Sequence, residues 1–209
     1  MLLFLLFLLP CALITYAFIL KDKKLILPVF AGIMTSTIVC ACRYFFSYEH
    51  RLIYYSFAGN FAYYLVKQNF LPLVLVSVLF ALISRDTMEY KFKNFFPLMT
   101  SFFAIYLPYC VITSSEIYYQ AYDLFLKPII YLAMLAQISI CLLQLWQAIT
   151  SKKALFIVIN ILIILIYAIY PAVSDALYAI DSRFALILIL GIVYSLVPAA
   201  LLAIKLIRK

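Results

Sequence analysis

Residues 154–174, ALFIVINILIILIYAIYPAVS, contain no charged side chain, and comparable apolar runs recur at 1–20, 25–46, 70–84, 95–113, 128–149 and 184–204. A hydrocarbon layer of about 30 Å takes roughly 17–25 helical residues to cross, and six of the seven runs have that length. The remaining run, 70–84, is short but strongly aliphatic, and Arg85 at its end can snorkel toward water. Backbone at membrane depth must satisfy its own hydrogen bonds, which leaves helices or a closed barrel. A barrel would show alternating segments of about ten residues, and the runs here are continuous. The sequence therefore predicts an all-α polytopic membrane bundle of seven transmembrane helices. With 69% hydrophobic and 11% charged residues, and only three glycines, there is no room for a soluble domain or a flexible linker. Residues 1–209 read as a single integral membrane domain.

The stretch at 48–68, YEHRLIYYSFAGNFAYYLVKQ, is harder to place. Its apolar part is mostly Tyr and Phe, which favour the membrane interface, and Gly59-Asn60 offers a turn at its middle. If the stretch does not cross by itself, eleven Lys and Arg fall on the inner side and five on the outer. If it does cross, the counts become six and ten. The positive-inside rule selects the first arrangement. The segment is then an outer interfacial helix pair or a shallow re-entrant loop, with the N-terminus outside and the C-terminus cytoplasmic in a cell membrane. The first run lacks the positive flank of a signal peptide and reads as a retained helix. The net charge of +8 is thus explained by topology, with no nucleic-acid partner expected.

In this topology the outer segments 47–69, 114–127 and 175–183 are rich in tyrosine and carry most of the acidic side chains, whereas the inner loops are short and basic. Two uses of that asymmetry are open: an ordinary aromatic belt, or a lid over a ligand cavity. The lid reading names Tyr54, Tyr55, Asn60, Tyr63 and Tyr64 as ligand contacts, with Glu116 or Asp181 at the rim. Rings supply rigid contact area, and Asn60 supplies a donor and an acceptor.

Within the predicted helices no acidic or basic side chain lies near the centre, which argues against a pump with its own buried carboxylate. Neutral polar residues remain. Gln137, Cys141 and Gln144 share one helix face, and Gln144 matches Asn160 in depth across the next inner loop, so an interhelical Gln144–Asn160 contact is expected. Cys40 and Cys42 point to opposite sides of a helix and cannot chelate one ion; either could meet Cys110. No metal or other cofactor is expected. The chain has no HExxH, no GxSxG and one histidine, His50, so it is not read as an enzyme, with a lipid-modifying activity at the "YEHR" of 48–51 as the minor alternative.

Gly32, Ser36 and Cys40, at four-residue spacing, form a small-residue face suited to docking on a partner. Helices two to seven make a six-helix unit with both ends inside and a long outer segment after its first helix. This arrangement resembles the substrate-capturing membrane subunits of energy-coupling vitamin transporters, although the additional first helix departs from their pattern. The resemblance implies outer loops closing over a small-molecule ligand. Two functions follow as expectations: a transport-related subunit binding a small solute in an outward-facing cavity, or a non-catalytic assembly subunit of a larger membrane complex. Membrane lipids and other membrane subunits are the expected partners.

Overall fold

The computed structural model of the chain describes residues 10, 26–46, 56–84, 87–113, 121–180 and 184–207. Among them there is no strand. The helices are α1 (Ile26–Phe46), α2 (Phe57–Tyr63), a π-helical segment π1 (Tyr64–Phe70), α3 (Leu71–Ile83), α4 (Met88–Lys93) and α5 (Phe95–Thr113). A second π-helical segment, π2 (Tyr122–Leu126), leads into α6 (Lys127–Thr150), followed by α7 (Ala154–Ala179) and α8 (Phe184–Ile207). Six helical stretches are long and apolar enough to cross a membrane: Ile26–Phe45, Phe57–Leu82, Phe95–Thr113, Tyr122–Thr150, Ala154–Ala179 and Phe184–Leu201. The all-α membrane bundle expected from the apolar runs is what forms. Run 1–20, apart from Pro10, lies outside the described residues.

The aromatic stretch departs from expectation in one respect. Gly59-Asn60 does not break the helix. Ser56 caps α2 by accepting a hydrogen bond from the Gly59 amide, so the glycine sits in a capped first turn. From there α2, π1 and α3 run on without interruption. The 26 residues of Phe57–Leu82 form one helical stretch long enough to cross the hydrocarbon core. The short run at 70–84 is thus the lower part of one helix whose upper turns are the Tyr- and Phe-rich segment.

The chain divides into two compact units, 1–52 with 73–128, and 53–72 with 129–209. In the first unit, α5 is the core, with Leu98, Met99, Phe102, Phe103, Tyr106 and Leu107 all fully buried. Helix α1 packs along it. A Cβ on Gly32 would collide with the Ser101 hydroxyl and the Leu98 carbonyl, and would stand 3.1 Å from the Phe102 amide. Farther along α1, Arg43 donates to the Tyr106 hydroxyl and to Cys110 Sγ. Gly32 thus lies against 98–102 and Arg43 against 106–110, so α1 and α5 run parallel. Two parallel spans require an odd number of crossings between them, and the helix from 57 to 83 supplies one. The small-residue face of Gly32, Ser36 and Cys40, expected to dock a partner, is turned inward: Gly32 packs on α5, and Ser36 and Cys40 are buried. At the other end, Lys91 on α4 donates to the Ala81 carbonyl at 2.7 Å, capping the last turn of α3.

In the second unit, α7 packs against α2 and π1 and also touches α8. Helices α6 and α7 are joined by a tight turn in which Lys152 takes φ 55. The Lys152 amide donates to Ile149 O at 3.1 Å and the Lys153 amide to Ala148 O at 3.0 Å, the paired bonds of a Schellman helix end. Such a position favours glycine, because a left-handed residue with a Cβ is strained. Lys152→Gly is expected to stabilise the protein by about 1 kcal/mol, seen as a higher midpoint of thermal unfolding in detergent.

Prolines fall inside both outer helices of this unit, Pro171 in α7 and Pro198 in α8. Each removes the amide that would bond the carbonyl four residues earlier, and those carbonyls belong to Tyr167 and Tyr194. The two helices exchange hydroxyls to replace the lost donors. Tyr194 OH donates to Tyr167 O at 2.8 Å, and Tyr167 OH to Tyr194 O at 3.5 Å. The rings lie 4.5 Å apart, and Tyr170 stacks on Tyr194 from 4.2 Å.

Candidate functional site: a buried polar cluster in the second unit

The π1 segment changes which side chains face inward. A π turn is wider than an α turn and shifts the helical phase. Gln68 and Asn69 are consecutive, yet both are buried, while Lys67 and Phe70 on either side are exposed. Asn69 meets two other helices. Tyr131, one turn into α6, lies with its hydroxyl 2.5 Å from Asn69 Oδ1 and 3.3 Å from Asp175 Oδ2 on α7. Asn69, Tyr131, Asp175 and the adjacent Ser174 are all no more than 2% exposed. Ser174 Oγ donates to Pro171 O. Two polar atoms here have no hydrogen-bond partner, Asn69 Nδ2 and Gln68 Oε1.

Asp175 overturns one expectation. The sequence places it in an outer loop, but α7 continues past it to Ala179, and the carboxyl is buried inside a membrane-spanning helix. Buried ionisable side chains in such helices mark functional positions more often than structural ones. Asp175 lies four residues from the end of α7, so it adds a buried carboxyl near one end of the span and none at its centre.

The residues expected to contact a ligand fare differently. Tyr54, Tyr55, Glu116 and Asp181 lie outside the described residues. Asn60 is buried near the start of α2, while Tyr63 and Tyr64 are half-buried and set edge to face at 5.4 Å. The Lys67 ammonium lies 5.2 Å over the Tyr63 ring. Of this group, Asn60 is the residue turned inward from the helix that carries Asn69.

The intramembrane amides also separate. Gln137 is buried and its Nε2 reaches Cys141 Sγ at 3.5 Å, one turn away on the same face. The Gln144–Asn160 contact does not form. Gln144 is exposed, whereas Asn160 is buried and donates to Phe156 O within its own helix at 2.8 Å. Matched depth was not sufficient, because the two side chains leave their helices in different directions. Ser36 Oγ on α1 is buried without a hydrogen-bond partner, but other hydroxyls of α1 and α5 are absorbed in the same local way. Thr35, Thr37, Thr100 and Ser101 each donate to a carbonyl one turn back.

Cys40, Cys110 and Cys141 are buried free thiols, and Cys42 is exposed. Among the described residues no group of His, Cys, Asp or Glu is arranged to hold a metal ion.

Sequence reasoning missed Gln68, Asn69 and Tyr131. Gln68 and Asn69 fall, by sequence, in the outer segment 47–69 that ends where the apolar run 70–84 begins. The signal that could have found them is the continuity of 57–83, which, read as one helix, carries three polar residues in its interior.

The chain matches no protein-family model, no curated protein and no solved structure.

Proposed function

We propose that the chain is a transport-related integral membrane subunit that binds a small polar solute at Asn69, Tyr131 and Asp175, with its N-terminus outside and its C-terminus in the cytoplasm. The observation that carries this reading is a pair of unpartnered polar atoms, Asn69 Nδ2 and Gln68 Oε1, at buried positions on a membrane-spanning helix. A buried donor or acceptor without a partner costs about 1–3 kcal/mol, and water is excluded from the apolar layer. A solute carrying both an acceptor and a donor would supply the missing partners. The π1 segment adds support, since π turns inside helices recur at functional positions. The orientation draws on the eleven-to-five division of basic side chains. The second reading, a non-catalytic assembly subunit, draws on Gln144, an amide exposed on the outside of α6, which would suit a partner helix better than lipid.

Asn69→Leu keeps the side-chain volume and removes the amide. Measured by thermal shift and equilibrium binding across a panel of small amines, amides and amino acids, the unaltered protein is expected to be stabilised by a subset. The variant should bind that subset about tenfold more weakly, the equivalent of about 1.4 kcal/mol. Unchanged binding in Asn69→Leu would remove this site from consideration. Loss of a co-purifying membrane partner in Gln144→Leu, with no solute bound by either form, would favour the assembly reading.

A further inference from the structure

Helix α7 has two halves of different character. Before Pro171 much of its surface is open, with Leu155, Val158, Leu162 and Ile166 exposed. From Pro171 onward the buried side chains are Pro171, Ala172, Ser174, Asp175 and Ala176. This C-terminal arm, 171–179, is the part of α7 beside the polar cluster, since Asp175 meets the Tyr131 phenol that also reaches Asn69 on π1. Apart from Asp175 and the proline, its buried residues are small, so no large apolar side chain keys the arm into the helices it packs on. Packed helices shift by small sliding motions, and a surface without interlocking side chains opposes them least.

The joint between the two halves is weak in its own backbone. Pro171 has no amide to give the Tyr167 carbonyl. Ser174 Oγ bonds back to Pro171 O at 3.2 Å, a kind of contact that often bends helices. The donor that replaces the missing amide comes from another helix, where Tyr194 OH of α8 reaches Tyr167 O at 2.8 Å. A bond within α7 would move with α7, whereas this one ties the joint to α8. The Tyr194 ring is itself held, with Tyr170 stacked at 4.2 Å and Tyr167 at 4.5 Å, and the Tyr167 hydroxyl returns a bond to Tyr194 O.

We infer that 171–179 is a hinged gate beside Gln68 and Asn69, and that the Tyr194–Tyr167 bond is the latch that keeps it shut. With the latch made, the joint is held to α8 and the arm lies on π1. With the latch broken, the arm turns about Pro171, Asp175 leaves Tyr131, and Asn69 Nδ2 and Gln68 Oε1 are opened from the end of α7. Admission of a solute rests on the solute reading above; the hinge and its latch do not.

Hydrogen exchange of the full chain in lipid nanodiscs, read by mass spectrometry, tests the arm directly, because local opening exposes amides without unfolding the rest. Tyr194→Phe is expected to speed exchange of 172–179 roughly tenfold and to leave α1 and α5 at the parental rate. Tyr170→Phe keeps the stacking ring and should leave the arm unchanged. Pro171→Ala restores the backbone amide, so it should slow the arm below the parent and bring the Tyr194→Phe, Pro171→Ala double variant back near it. An arm no faster in Tyr194→Phe than in the parent would overturn the latch. So would a rise spread equally over α1, α5 and the arm, which would make the tyrosine a support of the whole fold. An arm indifferent to Pro171→Ala would overturn the hinge. Binding by Asn69→Leu separates the solute reading: normal binding there, with a loosened arm in Tyr194→Phe, leaves the latch standing and removes the solute site. Weakened binding with an arm that does not loosen does the reverse. Where both hold, a solute that binds the parent should slow exchange of 172–179, and unchanged exchange would overturn the gating role.

Discussion

Gly32→Ala is expected to destabilise the first unit, although alanine is the better helix former by about 1 kcal/mol. The methyl group would enter space already held by the Ser101 hydroxyl and the Leu98 carbonyl. A hydroxyl can rotate away, but a backbone carbonyl inside α5 moves only with its helix. Overpacking of this kind costs about 1–3 kcal/mol, so the net sign is unfavourable. Gly32→Leu should be worse, separating α1 from α5 and the Arg43 guanidinium from Tyr106. The measurement is the midpoint of thermal unfolding in detergent, with Ser101→Ala added to each variant. That second change should recover only part of the loss, because the Leu98 carbonyl remains. A Gly32→Ala variant more stable than the parent would show that α1 and α5 are not this closely packed.

Tyr194→Phe is expected to cost about 1–3 kcal/mol, the penalty for an unpaired polar group in a buried setting. It strips the donor from the Tyr167 carbonyl, which Pro171 has already deprived of its helical amide. Restoring that amide should compensate. Pro171→Ala in the Tyr194→Phe background is expected to regain most of the lost stability, while Pro171→Ala alone should change little. The coupling from a double-mutant cycle is the readout, and zero coupling would separate the proline from the tyrosine. The reciprocal pair, Tyr167 with Pro198, should show the same pattern at smaller amplitude, since that bond is longer, at 3.5 Å.

Much of the fold was legible because lipid imposes a composition. Runs such as 154–174 and 184–204 need only be long and apolar to be helices, and the structure returns α7 and α8 across them. Helix ends were less legible. The sequence ended α7 near Ser174 because Asp175 looked like a loop residue, yet the helix continues to Ala179 with its carboxyl inside. An acidic side chain is excluded from lipid but not from a protein interior that offers it a partner, here Tyr131. The same rule placed Lys67-Gln68-Asn69 in an outer segment, whereas they form part of a continuous helix. Hydropathy sees the environment averaged over a segment. It does not see which face of that segment meets another helix.

The sequence by itself determined that the chain is a multi-pass helical membrane protein, because apolar runs of that length have no other stable solution in water or in lipid. It also marked Gly32, Ser36 and Cys40 as a face where backbones can approach closely. Only the tertiary structure decided where those features are used. It turned the small-residue face of α1 onto α5 and matched Pro171 and Pro198 with the tyrosines that replace their donors. It also brought Asn69, Tyr131 and Asp175 together from three helices. The reason is geometric. Helix formation is written in local composition, whereas the phase of each helix is set by its π turns and its neighbours, and a change of one residue in that phase moves a side chain from lipid to core.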